Sequence, residues 1–188
     1  LAEELGAGAV HGTSFSACSA AAQAIAEGMR LIRRGHADIA IVGGHDSMVH
    51  PMGILSFQVL GALSPSKCRP FDKNRDGFLL GEGAAVLVLE SGAHARRRGA
   101  RPRARLLGAG TSLDSWKATA PHPEGRGAES SMRRALKDAG LNPGEVGHVN
   151  AHGTGTPLGD LAECRAIGRL FGSAVPVSSV KGAIGHTV

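Results

Sequence analysis

Cys18 stands in the run Ser16-Ala17-Cys18-Ser19-Ala20-Ala21-Ala22, where the pattern of a strand gives way to that of a helix. A thiol at a helix N-terminus meets the positive end of the helix dipole and unpaired N–H groups, both of which favour thiolate. Thiolate is the nucleophilic form, and the alanines behind it leave room for a substrate. A buried structural cysteine is the competing reading. A second cluster is Asn150-Ala151-His152-Gly153-Thr154-Gly155-Thr156-Pro157-Leu158-Gly159-Asp160. An imidazole at a strand end, followed by glycines and two hydroxyls spaced by one residue, suits a ligand. Neutral His152 would donate to a developing oxyanion, and Thr154 and Thr156 would bond an amide-containing tail. The spacing fits neither a phosphate loop nor a dinucleotide fingerprint; a glycine turn before a capped helix is the alternative. The third cluster, Ser178 to His186, sets Lys181 and His186 in a glycine-bearing loop after a strand.

The elements that must hold these groups follow from alternating short apolar runs and helical stretches, an α/β pattern. Ser19 to Arg34 reads as a helix with Ile25, Met29 and Ile32 on one face, stopped at Gly35. Ala37 to Val42 reads as a buried strand ending in Gly43-Gly44, and residues 50 to 82 as loop-rich. Ala84 to Leu89 is a second buried strand, followed by an arginine-rich helix to Arg98 and a boundary near Gly99. Beyond it come a strand at Arg103 to Leu107, an irregular stretch, and a helix at Ser130 to Ala139. Strands at Val146 to Asn150 and Val175 to Ser179 flank a helix through Phe171, capped by Asp160 with Glu163 as its capping-box partner. On that helix Cys164 falls on a face with Ile167, Gly168 and Phe171, predicting a core thiol; Cys68, in a loop, looks incidental.

The chain has 188 residues, 42% apolar and 20% charged, as expected of a globular protein with a core. No apolar run approaches the roughly 18 residues that span a bilayer, so no membrane segment is expected. Glycine, at 28 residues, is about twice as common as usual, which implies tight turns and close backbone approaches. Five Phe, one Trp and no Tyr argue against stacking platforms for single-stranded nucleic acid. The net charge of +5 is concentrated between Arg96 and Arg105, which suits an acidic partner or a solvated helix end. Three widely spaced cysteines form neither a disulfide framework nor a metal-knuckle spacing, so a cytoplasmic setting and no metal are expected.

Cys18, the linking motif from Pro70-Phe71-Asp72 through Arg75-Asp76-Gly77-Phe78 to Gly81-Glu82-Gly83, and the segments His152 to Asp160 and Lys181 to His186 together resemble the elongating beta-ketoacyl-(acyl carrier protein) synthases. The resemblance runs over nearly the whole chain. It implies a thiolase-like fold, αβαβα layers in two related halves, here incomplete at both ends. Residues 1–100 would belong to the half with the nucleophile and residues 101–188 to the half with both histidines. It further implies that Cys18 accepts the acyl chain and that His152 and His186 are the decarboxylation pair. Lys181 would support the site through a carboxylate network including Asp160. Thr154 and Thr156 would hold the phosphopantetheine arm of an acyl carrier protein, and Phe57 would lie near the acyl pocket.

The activity implied is decarboxylative condensation of acyl and malonyl thioesters in fatty acid or polyketide synthesis, with no cofactor beyond the carrier's arm. A homodimer or ketosynthase heterodimer is the expected assembly, with neither nucleic acid nor membrane as partner. A thiolase-type acyltransferase and a non-catalytic chain-length partner subunit are the alternatives; the paired histidines count against the first and Cys18 against the second. A nucleic-acid binder built on the arginine patch is an outsider. Ser14 departs from the family's usual apolar residue, and the 188-residue chain alone is expected to be inactive.

Overall fold

A computed structural model describes residues 2–8, 10–117 and 119–188. The chain forms two compact units, one of residues 1–45 and 84–106, the other of residues 46–83 and 107–188. No helix among the described residues is long and apolar enough to cross a membrane.

In the first unit residues 10–16 form no strand, contrary to expectation, and a 3₁₀ turn (Ala17–Ser19) runs into α1 (Ala20–Arg33). Arg30 and Arg33 occupy the last turn, where cations offset the helix dipole. β1 (Ile39–Ser47) pairs with β2 (Glu82–Glu90). β1 does not stop at Gly43-Gly44 as expected. These glycines lie inside the strand because a neighbour occupies each side-chain position: a Cβ on Gly44 would come 2.7 Å from Ala21 Cβ, and one on Gly43 would strike the Ala85 carbonyl. Gly28 does the same from the helix side, where a Cβ would sit 2.5 Å from Val42 Cγ1 and 3.3 Å from Leu89 Cδ1. Small residues thus bring α1 directly onto the strands.

β2 is not the buried strand its apolar run suggests. Val86 and Val88, on one face, are 66% and 65% exposed. Leu89, on the other face, is shielded where it reaches α1. α3 (Gly92–Arg97) follows, with Ser91 as N-cap: its hydroxyl accepts from the His94 N–H and donates to Asp38. Glu90 accepts from Arg98 at 2.6 and 2.7 Å, and the Arg98 and His94 bonds hold its carboxyl down to about 2. Arg97 pairs with Asp38, so part of the arginine excess is spent on fixing this helix.

The second unit contains α2 (Pro51–Val59), α4 (Arg126–Ala139), β3 (Val149–Asn150), α5 (Pro157–Phe171), β4 (Val177–Ser178) and α6 (Lys181–Ile184). α2 lies where the sequence reads as loop. Its residues are almost all apolar, so no polar face reveals the helical period, but Pro51 at its first turn and His50 Nδ1 accepting from Gly53 N–H define its start. Arg103 to Leu107 is not a strand. The chain after it instead lies against α4, where a Cβ on Gly108 would come 2.7 Å from the Ala135 carbonyl. α4 begins four residues before the expected Ser130, at Arg126, behind a left-handed Gly125.

α5 begins at Pro157, with Thr156 as its N-cap residue. Asp160 is therefore inside the first turn and Glu163 beyond it, and neither forms the expected capping box. Cys164 is exposed rather than core, because the helix buries the neighbouring stripe of Ala162, Ala166, Ile167 and Leu170. Cys68, in contrast, is buried and bonded.

Candidate active site

β3 and β4 run parallel, with Val149 opposite Val177 and Asn150 opposite Ser178. The Ala151 N–H extends the ladder onto the Ser178 carbonyl at 2.8 Å. Both chains therefore leave the sheet at the same end, the carboxyl edge where ligands gather in parallel sheets. One exit carries His152; the other passes through Ser179 and α6 to His186.

His186 is only 5% exposed. Its N–H donates to the Leu79 carbonyl and its carbonyl accepts from Gly81 N–H, both at 2.8 Å, which locks it to the 78–81 segment. Its ring meets His152 edge to face, with centroids 5.3 Å apart. Behind it Phe78 packs at 5.1 Å, and Phe57 of α2 packs on Phe78 at 5.4 Å. Burial holds both imidazoles down to about 4. The Lys181 ammonium pushes His152 the same way and Asp160 opposes it; for His186, the His152 ring and Lys181 add to burial. Both rings are thus neutral at pH 7, each with one N–H to donate. His152 is nonetheless exposed at the surface, whereas His186 is enclosed.

The backbone around His152 is clamped. Glu163 accepts from the His152 N–H at 2.7 Å and the Gly153 N–H at 2.8 Å. Ser179 Oγ donates to the Gly153 carbonyl at 2.7 Å and accepts from Lys181 N–H at 3.3 Å, joining the two exits from the sheet. Gly153 has φ +41, and a Cβ there would come 2.6 Å from Ser179 Cβ and 3.0 Å from Phe71.

The next stretch rests on residues 68–77. The Thr154 carbonyl accepts from Cys68 Sγ at 3.3 Å, the Gly155 carbonyl from Gly77 N–H at 2.9 Å, the Thr156 carbonyl from Arg75 Nε at 3.3 Å and the Pro157 carbonyl from Arg75 Nη2 at 2.7 Å. Asp160, 1% exposed, accepts from Gly155 N–H at 3.0 Å and Phe71 N–H at 2.7 Å, with Arg75 Nε 3.9 Å away. Held this way, the Thr154 and Thr156 hydroxyls bond each other at 2.9 Å. Burial pushes the Cys68 thiol up, keeping it protonated as a donor.

The second unit therefore brings together His152, His186, Lys181, Thr154, Thr156 and Asp160, and reaches Phe57 through Phe78. Cys18 belongs to the first unit, where it is exposed in the turn that opens α1. Ala17 just before it has φ +48, a conformation that costs a non-glycine residue about 1 kcal/mol or more and that collects at functional sites. Phe71, which donates to Asp160, is likewise left-handed at φ +63. Sequence reasoning gave no role to Phe78, Arg75 or Cys68, and it assigned Glu163 to a cap. The three-residue step from Asp160 to Glu163, which puts both carboxylates on one side of a helix, was the signal available.

Comparison with known proteins fits this geometry. The model of the beta-ketoacyl synthase N-terminal domain matches residues 1–95, and that of the beta-ketoacyl synthase C-terminal domain matches residues 103–188. The chain is 43% identical to 3-oxoacyl-[acyl-carrier-protein] synthase 2 of Staphylococcus aureus over 97% of its own length and 47% of that protein's. Among solved structures, a ketosynthase in complex with its chain length factor from Xenorhabdus doucetiae superposes with a TM-score of 0.89 at 42% identity, over 99% of this chain and 44% of that one. A type II polyketide ketosynthase in complex with its acyl-carrier protein gives a TM-score of 0.95 at 34% identity, over 99% and 48%. The chain belongs to the beta-ketoacyl synthase family, and its α/β fold is the thiolase-like fold of the ketosynthases. It spans about half the length of the curated relatives it matches.

Proposed function

We propose that the protein is a condensing enzyme that joins a Cys18-bound acyl chain to a malonyl unit carried by an acyl carrier protein. The observation that supports this best is the pair of neutral imidazoles, His152 and His186, meeting edge to face at the carboxyl edge of two parallel strands. The Cys18 thiolate attacks an acyl thioester, and the carrier sulfur leaves as a thiolate that takes a proton from water. The bond between the malonyl α-carbon and its carboxylate then breaks, CO2 departs, and the electron pair forms an enolate. His152 and His186 donate N–H bonds to the enolate oxygen. Its carbon attacks the acyl carbonyl, and collapse of the tetrahedral intermediate expels the Cys18 thiolate and leaves a 3-oxoacyl thioester. The electrons balance without a redox cofactor or a metal.

Thr154 and Thr156 hold the phosphopantetheine arm, Phe57 lies toward the acyl chain, and Lys181 with Asp160 sets the electrostatics around the imidazoles. An acyl carrier protein is the partner, in a homodimer or ketosynthase heterodimer. The cytoplasm suits a chain whose three cysteines are spaced for neither a disulfide framework nor a metal knuckle. The test is acyl transfer to Cys18→Ala in the intact protein, followed by mass spectrometry. The variant should fold and carry no acyl group; undiminished acylation would refute the assignment.

A further inference from the structure

We infer that Arg75 is a positioning residue whose guanidinium sets the Thr154–Thr156 hydroxyl pair for the arm of a pantetheine-borne substrate. Arg75 lies in the linking motif, far in sequence from the threonines and without a role in the chemistry above. Its Nη1 donates to the Asp72 carbonyl at 3.0 Å, fixing the side chain to its own turn. The remaining donors reach across to the Thr156 carbonyl at 3.3 Å and the Pro157 carbonyl at 2.7 Å, where the second threonine enters α5. A planar fork with donors fixed relative to each other suits this task in a way that a flexible ammonium does not.

Two features link this grip to ligand geometry. First, Arg75 supports the carbonyls of Thr156 and Pro157, while Cys68 and Gly77 support those of Thr154 and Gly155, so this peptide run follows the position of residues 68–77. Second, Asp160 is almost wholly buried and takes the N–H groups of Gly155 and Phe71, with Arg75 as its cationic neighbour at 3.9 Å. A neutral replacement for Arg75 removes two carbonyl supports at once, while Asp160 keeps its two backbone N–H donors. The hydroxyls would then lose their fixed separation of 2.9 Å. His152 is secured separately, by Glu163 and Ser179, so the displacement should fall on the arm and spare the decarboxylation pair.

This role rests on the condensing reading, and the experiment separates the two. Decarboxylation by the intact protein is followed with malonyl-pantetheine and with the malonyl thioester of ethanethiol, which lacks the amide-bearing arm. Arg75→Gln should raise KM for malonyl-pantetheine about tenfold or more, the size expected when a charge-assisted hydrogen bond is lost. It should leave turnover of the ethanethiol thioester within about twofold, and Arg75→Lys should recover only part of the loss. In a Thr156→Val background the same substitution should add little further, because both changes act on one contact. Equal losses with both thioesters, or full additivity with Thr156→Val, would overturn the role and mark Arg75 as a general support. Wild-type protein inert toward both thioesters would sink the condensing reading and this role with it.

Discussion

The Glu163 carboxylate accepts the backbone N–H of His152 at 2.7 Å and that of the following glycine at 2.8 Å, although the carboxylate lies in the middle of α5 and the histidine two residues past β3. A carboxylate is the side chain that takes two adjacent N–H donors with both oxygens. Glu163→Gln puts an NH2 against one of them and must tilt the loop. Malonyl decarboxylation should fall about tenfold to a hundredfold, in line with the cost of moving a catalytic group by about 1 Å. Acyl loading of Cys18 should survive, and comparing CO2 release with mass-spectrometric loading checks this.

His186→Ala removes an N–H donor without touching the thiol. Cys18 acylation should continue, whereas CO2 release should drop about a hundredfold or more, the usual cost of one oxyanion donor. Normal CO2 release by this variant would take His186 out of the mechanism.

Both imidazoles are held near 4, below the value of about 6.5 expected in an unfolded chain. Between these values the unfolded state binds more protons than the folded one. The histidine contribution to stability is therefore complete above about pH 6.5 and is lost as pH falls toward 4. Two histidine signals in an NMR titration should stay in the neutral form well below pH 6, and CO2 release should hold level until the pH approaches 4. Histidine resonances that titrate near 6.5 would contradict this.

Gly153→Ala places a methyl group 2.6 Å from Ser179 Cβ on a residue with φ +41. The strain should cost about 1–3 kcal/mol and lower the thermal midpoint. Gly168→Ala on the exposed face of α5, where a Cβ meets nothing within 4 Å, should be neutral or stabilising in the same assay.

Local patterns made much of this legible. α1 follows its apolar spacing and its basic last turn, and each histidine segment follows a strand as read, although each strand is only two residues long and their parallel pairing was not legible. The errors have one physical origin: a sequence gives residue type but not which neighbour is near. Gly43-Gly44 looks like a strand end because the closeness of Ala21 and Ala85 is invisible in one dimension. α2 hides because a helix without a polar face has no readable period. Asp160 and Glu163 look like cap residues, yet their oxygens serve backbone N–H groups of Phe71 and of the 152–155 loop. Cys68 looks incidental until the Thr154 carbonyl appears beside it.

The carbonyl support between residues 68–77 and 154–157 bears on how the molecule can be divided. A cut near Gly99, the natural choice from the linear arrangement, severs the histidine loops from the strip of chain on which they are seated. Residues 107–188 are therefore no transplantable cassette. Any graft of these histidines onto another scaffold has to bring the 46–83 stretch with it, as a second piece of polypeptide entering from elsewhere in the chain.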